Sequence, residues 1–298
     1  MGQDGTLQTD SQTGALSISW IAETPSSVEF SEKQESIATA APTRFPTTSS
    51  SPTPDLRPLP SSWSSWPIIP YVSPRTREIY EQGVEQGTDP RIFSIIGDCQ
   101  SQPEVFLGIY ATDRYYLGND YQYLQDTIDY FAGNFSRDHI TVKGGLSVVS
   151  VFSPLWADPD RCNTNESPLE CEFRLNRPSI VFINLGTNWK NSSSSAHERL
   201  MREMVDFVIA QGAVPILSTK ADNQEGDHTI NRSIARIAFD YDIPLWNLWA
   251  AVQDLPHHGL DETSPGGIYL SVDSWNRRNF TGLRALDMVW RSVTDQAP

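Results

Sequence analysis

The stretch IFSIIGDCQS, Ile92 to Ser101, runs an apolar segment directly into Gly97, Asp98 and Cys99. A thiol at that place is either a nucleophile presented at a strand end or a small side chain packed beneath it. If a helix starts there, its dipole favours the thiolate and therefore the nucleophile. A second apolar run, SIVFINLG, also ends on a polar tripeptide, Gly186-Thr187-Asn188, and between the two KGGLSVVS offers a glycine-rich turn that opens a helix. Hard-metal ligands gather in Asp222, Asn223, Glu225, Asp227 and His228. They lack the glycine and spacing of a calcium loop, so a helix N-cap by Asp227 is the simpler account, and no metal is expected. Phosphate-loop, dinucleotide-loop and Cys-x-x-Cys signatures are absent from the sequence, and no cofactor is expected.

Elements that would position these residues follow from periodicity. Apolar runs bounded by turn signals alternate with helical periods, the pattern of a mainly parallel sheet with helices on both faces. Five strands are expected, at 91–98, 139–143, 179–186, 213–219 and 243–248. One helix is expected after Ser195, with Glu198 completing a capping box and Leu200, Met204, Val208 and Gln211 on one face before Gly212. A second places Ile230, Ile234, Ile237 and Tyr241 on a stripe, and a third covers about 274–293. Ligands of such sheets bind at the carboxyl ends of the strands, where Cys99 and Asn188 both fall.

Residues 1–75 show no apolar period, and between Thr39 and Pro67 roughly two thirds are Ser, Thr or Pro. They read as an extended arm before a domain of residues 76–298, with Trp63 to Val72 lying down on the domain as a strap. The chain is 38% hydrophobic and carries a net charge of −15, which disfavours nucleic acid as a partner. No apolar run is long enough to span a bilayer, and the first residues lack the pattern of a signal peptide. Of three cysteines, Cys162 and Cys171 share a polar loop and are expected to pair, leaving Cys99 free. Such a bridge, together with the stalk-like arm, points to an extracellular or cell-surface protein, the alternative being a reduced, cytoplasmic one. A monomer is expected.

The blocks IIGDCQ, KGGLSVVS, NLGTNW and a late GGIYLS, in this order over about 91–293, resemble those of the SGNH hydrolase superfamily, the GDSL-type esterases and lipases. The resemblance implies a flavodoxin-like three-layer α/β/α fold and an acyl-transfer site acting on a small-molecule or carbohydrate ester. Carried over, Cys99 stands at the nucleophile, Gly145 supplies a backbone donor and Asn188 a side-chain donor to the oxyanion. Two blocks depart from the family: in the first a cysteine replaces its serine, and in the last, where it has an Asp-x-x-His, this chain has Gly266 and Tyr269. A phenol, with an ordinary pKa near 10, is a poor base at neutral pH. A literal Asp-x-x-His occurs instead at Asp254 and His257, beside His258, and His228 follows the fourth expected strand. Two functions are therefore expected: an ester hydrolase with a displaced base, or a silent relative that binds a carbohydrate or acylated ligand.

Overall fold

The computed structural model describes residues 57–189 and 193–296; the segment before Arg57 lies outside the described residues. Four parallel strands, β1 (Asp89–Gly97), β2 (Pro178–Asn184), β3 (Val214–Ser218) and β4 (Leu245–Trp246), lie side by side in chain order. Their runs are continuously apolar because helices cover both faces, so neither face offers polar side chains a place in water. On one face Phe93 and Phe182 meet Phe131 and Phe106, beneath α1 (Pro74–Gln86), α2 (Leu124–Tyr130) and α7 (Val272–Thr294). On the other, Ser94, the alternate residue of β1, donates to the buried Glu172 of α3 (Pro168–Asn176). Phe173 of α3 packs edge-on against Phe207 of α4 (Ser194–Ala210), which in turn lies along α5 (Thr229–Tyr241). A short α6 (Leu248–Val252) leaves β4 and packs on α7.

The expected strand at 139–143 does not form. Only Val142 bridges to Gly97, and at Ile95 side chains take the place of a ladder. The Ile95 N–H donates to His139 Nδ1 at 3.4 Å and its carbonyl accepts from Thr141 Oγ1 at 2.6 Å. The edge of β1 is therefore satisfied without a fifth strand. KGGLSVVS opens no α-helix either: Ser147 and Ser150 hydrogen-bond to each other's backbone, and only a 3₁₀ turn, Ser150–Phe152, follows. Conversely, the cysteine loop contains α3, whose start carries a full capping box of Ser167 and Glu170 with Pro168 in the first turn. Cys162 and Cys171 are joined, tying that helix to the loop before it, and Cys99 is free.

The segment from Arg57 to Ser73 runs over the α5 and α6 side of the domain. Trp63 is 6% exposed and meets Trp249 edge-on, and the Asn247 amide donates to the carbonyls of Trp63 and Trp66. Arg57 donates to the Phe239 carbonyl and Asp242, and Ser73 caps α1. Where α1 crosses the turn into β3, a Cβ on Gly83 would stand 1.8 Å from the Gly212 carbonyl oxygen, so this helix seats only through glycine.

In α4 the expected capping box is absent. Ser193 is the N-cap, and Glu198 instead pairs with Arg202 and Arg236. Its buried stripe runs through His197, Met201, Met204, Val205 and Val208, placing His197 in the core with both ring nitrogens unpartnered among the described residues. Burial, with the Lys220 charge adding to it, pushes the His197 pKa down to about 4. The unfolded chain binds this proton near pH 6.5 and the folded one does not, so stability is complete above that range and falls as pH drops toward 4. Denaturant unfolding across this window should show the acid loss in the wild type diminished in His197→Leu, by about 3 kcal/mol; identical slopes in the two proteins would contradict it.

Candidate active site

Cys99 is presented by a turn that its neighbours build. The Asp98 carboxylate accepts the Gln100 N–H at 3.0 Å and the Asp98 carbonyl accepts from Ser101 N at 2.9 Å, closing a single 3₁₀ turn, Cys99–Ser101. Gly97 has to be glycine, because a Cβ there would lie 2.1 Å from Ser101 Oγ. The expected helix start is thus one turn only, and it brings no aligned stack of peptide dipoles to the thiol. Burial pushes the Cys99 thiol above its ordinary range and the Asp98 charge adds to this; the amides of Cys99 and Gln100 and a hydrogen bond with Tyr269 act against it. The net effect favours the neutral thiol, opposite to the dipole expectation.

Beneath the turn lies Arg278 of α7, 3% exposed. Its Nη1 donates to the Gln100 carbonyl and its Nη2 to Ser101 Oγ, and the guanidinium sits 4.2 Å from the centre of the Phe106 ring. Burial pushes its pKa down to about 10, with Asp98 opposing, so it stays charged at neutral pH. Above the turn, the Gln100 side chain holds two backbone groups at once: its Nε2 donates to the Ile268 carbonyl at 2.9 Å and its Oε1 accepts from Leu270 N at 3.2 Å. Tyr269 lies between these two residues, where the family resemblance places a histidine, and its hydroxyl favours the thiolate slightly. The Gly266 carbonyl accepts from Gln224.

Asn188 reaches the same place from the end of β2. Its Nδ2 donates to the Leu146 carbonyl at 3.1 Å and lies 3.4 Å from Asp98 Oδ2, joining the glycine turn to the Cys99 turn. Of the two glycines, Gly144 faces Cys99: its Cβ would stand 3.9 Å from that of Cys99, whereas Gly145, at φ +80°, turns toward the Trp156 ring. Among the described residues nothing accepts the N–H of either glycine. The three sequence blocks are thus brought together.

The alternative base is not. Asp254 pairs with Arg277 at 3.1 Å and His257 Nδ1 with Glu262 at 2.5 Å, so these two do not form a dyad. The remaining histidines are also taken up elsewhere. His139 lies against Glu172, His197 behind Gly186, His228 between Trp63 and Trp249, and His258 on the Gln253 carbonyl. The acidic loop after β3 is likewise used internally: Asp222 and Glu225 hold Lys220, and Asp227 accepts the Thr229 N–H at the start of α5. Glu166 stands close to Cys162 and Cys171, whose sulfurs are consumed by their own bond. Sequence reasoning missed Gln100 and Arg278. The first was visible as the amide next to the thiol, the second only as a basic residue on a helix; its burial is tertiary.

A parallel sheet between two helical layers, with the Cys99 and Asn188 blocks at the ends of β1 and β2, is a three-layer α/β/α fold. No family model and no curated protein matches the sequence. Among solved structures the chain is similar to a lipolytic protein of the G-D-S-L family from Desulfitobacterium hafniense, at 12% identity and a TM-score of 0.45 over 65% of this chain and 98% of that one. It is similar to a psychrotrophic esterase from Pseudoalteromonas, at 13% identity and a TM-score of 0.45 over 65% and 96%. A third is an acetylxylan esterase from Geobacillus stearothermophilus, at 15% identity and a TM-score of 0.43 over 66% and 94%. What this chain does is decided by its own side chains.

Because burial dominates the Cys99 environment, alkylation of the native protein should be slow at pH 7 and its midpoint should lie above that of an ordinary thiol, about 8.5. Tyr269→Phe removes a hydrogen bond that favours the thiolate and should move the midpoint further up. A midpoint below the ordinary value, or a downward move in Tyr269→Phe, would contradict the geometry.

Proposed function

We propose that the chain is an SGNH-fold protein that binds a carbohydrate or acylated ligand at the Cys99 edge of its sheet and turns esters over only slightly. One observation carries this reading: the side chain that acts on the thiol at the position of the family's histidine is the phenol of Tyr269, and all five histidines lie away from the thiol. General-base assistance is worth about 10² to 10⁴ in rate, and a neutral thiol without a base forfeits it. The donors are arranged differently. The N–H groups of Gly144 and Gly145 remain available, and Asn188 spends its amide on Leu146 and Asp98. Trp156 stands beside Gly145, and next to it Leu155 is 93% exposed, so an apolar surface borders the site. The Cys162–Cys171 bridge supports placing the protein in an oxidising, extracellular or cell-surface setting.

Hydrolysis of a short-chain ester tests this. The wild type should be slight at neutral pH, and Gly266→Asp with Tyr269→His should raise the rate about 10²-fold or more. The φ of +81° at Gly266 is one that Asp tolerates better than most residues. Asn188→Ala in the restored protein should lower the rate again, on the order of 10²-fold. A clearly active wild type whose activity His257→Ala abolishes would overturn the reading in favour of a hydrolase with a displaced base.

A further inference from the structure

The turn that carries Gly144 and Gly145 is fixed without a ligand. The Leu146 N–H closes it on the Lys143 carbonyl at 3.0 Å, with Gly145 at φ +80° in the third place of the turn, where glycine is favoured. Lys143 N donates to the Gly97 carbonyl at 3.2 Å and the Leu146 carbonyl accepts from Asn188, so both ends of the turn are tied to the site. Lys143, Gly144 and Gly145 are exposed, and the two glycine N–H groups have no acceptor among the described residues. Trp156 and the Lys143 side chain gather beside them. Trp156 would lie 3.6 Å from a Cβ on Gly145, and Lys143 Nζ stands 5.8 Å from the centre of the Trp156 ring. Of the two described lysines, Lys220 is buried and held by Asp222 and Glu225, whereas Lys143 has no carboxylate partner among the described residues.

In a chain of net charge −15, an unpaired ammonium beside two free N–H groups is a local exception, and it matches one negative charge. The carboxylate of the site, Asp98, is turned inward: it is 5% exposed and accepts from Gln100 and Asn188. Hydrogen bonds from N–H groups and an ammonium to a carboxylate are charge-assisted, and roughly twice as strong as neutral ones. The indole of Trp156, with Leu155 93% exposed next to it, offers an apolar surface for the C–H face of a sugar ring. We propose that Lys143, the Gly144–Gly145 turn and Trp156 form a subsite for an acidic sugar, the carboxylate on Lys143 and the glycine N–H groups, the ring on Trp156. The proposal deepens the binding reading given above and rests on it: of the two ligand classes it selects carbohydrate, and among carbohydrates a uronate. A phosphate ester brings nearly two negative charges to a single cation and is matched less well.

The probe is methyl β-D-glucuronide, titrated into the isotopically labelled full chain while the Gly144 and Gly145 amides and the Trp156 indole N–H are followed by NMR, with methyl β-D-glucoside as its neutral counterpart. Saturable shifts at all three groups are expected, in the millimolar range appropriate to so small a ligand. The glucoside should bind about five-fold more weakly or worse, and the difference should shrink as salt is raised. Lys143 is exposed, so its replacement leaves the fold intact. Lys143→Gln should bring glucuronide affinity down to that of the glucoside, and Lys143→Arg should keep a preference for the glucuronide. Equal binding of the two sugars by the wild type, a preference that survives Lys143→Gln, or glucose 6-phosphate binding more tightly than the glucuronide would each overturn the proposal. If neither sugar shifts these groups, the binding reading falls together with the subsite; if the glucoside binds and the glucuronide gains nothing over it, the subsite alone falls.

Discussion

The buried guanidinium of Arg278 is the interaction on which the geometry of the site depends. Taking a cation out of water is costly, and it is tolerated only where hydrogen bonds and opposite charge surround it. Arg278 finds the Gln100 carbonyl, Ser101 Oγ, the face of Phe106 and the charge of Asp98. Every one of these partners belongs to the chain just after β1, whereas Arg278 itself comes from the last helix. The contact therefore ties the turn that carries Cys99 to α7, and Gln100 adds a second tie through Ile268 and Leu270 just before that helix. Between the two ties, the backbone on either side of Tyr269 is held beside the Cys99 turn.

This packing also sets the chemistry. A turn held from below by a cation and from above by an amide is desolvated, and desolvation raises a thiol's pKa because the charged form loses most. Arg278 favours the thiolate, but Asp98 lies nearby with the opposite influence, and burial outweighs the donors that face the sulfur. Asn188, by bonding Leu146 and Asp98, holds the two turns together rather than keeping its amide free for an incoming oxyanion. Around the thiol the Asn188 amide is spent on its neighbours, while the N–H groups of Gly144 and Gly145 have no acceptor among the described residues.

Much of this was legible in the sequence. Four strand runs and the stripes of α5 and α7 follow from apolar periodicity, and the blocks at Cys99 and Asn188 fall at strand ends because strand ends are where such runs stop. What escaped had tertiary causes. HITVK reads as a strand, yet His139 and Thr141 spend their side chains on Ile95, a substitution of side chain for backbone that no local pattern announces. His197 precedes Met201 and Met204 at helical spacing, whereas the expected face ran through Leu200, Met204, Val208 and Gln211; the buried stripe is turned from it by one residue. Helix α3 carried its signal openly in Ser167, Pro168 and Glu170, masked by the surrounding Asn, Asp and Cys residues that read as loop. Asp254 and His257 show the converse: correct spacing for a dyad, dissolved by nearer partners in Arg277 and Glu262.

Cys99 is a half-buried thiol whose surroundings favour the neutral form over a poised nucleophile. Intact-mass analysis of the wild-type protein after treatment with a thiol-reactive acyl ester at pH 7 tests it directly, because a trapped acyl group adds its mass whether or not turnover follows. An unmodified mass is expected at neutral pH, with acylation of Cys99 appearing only under alkaline conditions. Rapid, stoichiometric acylation of Cys99 at pH 7 would contradict it.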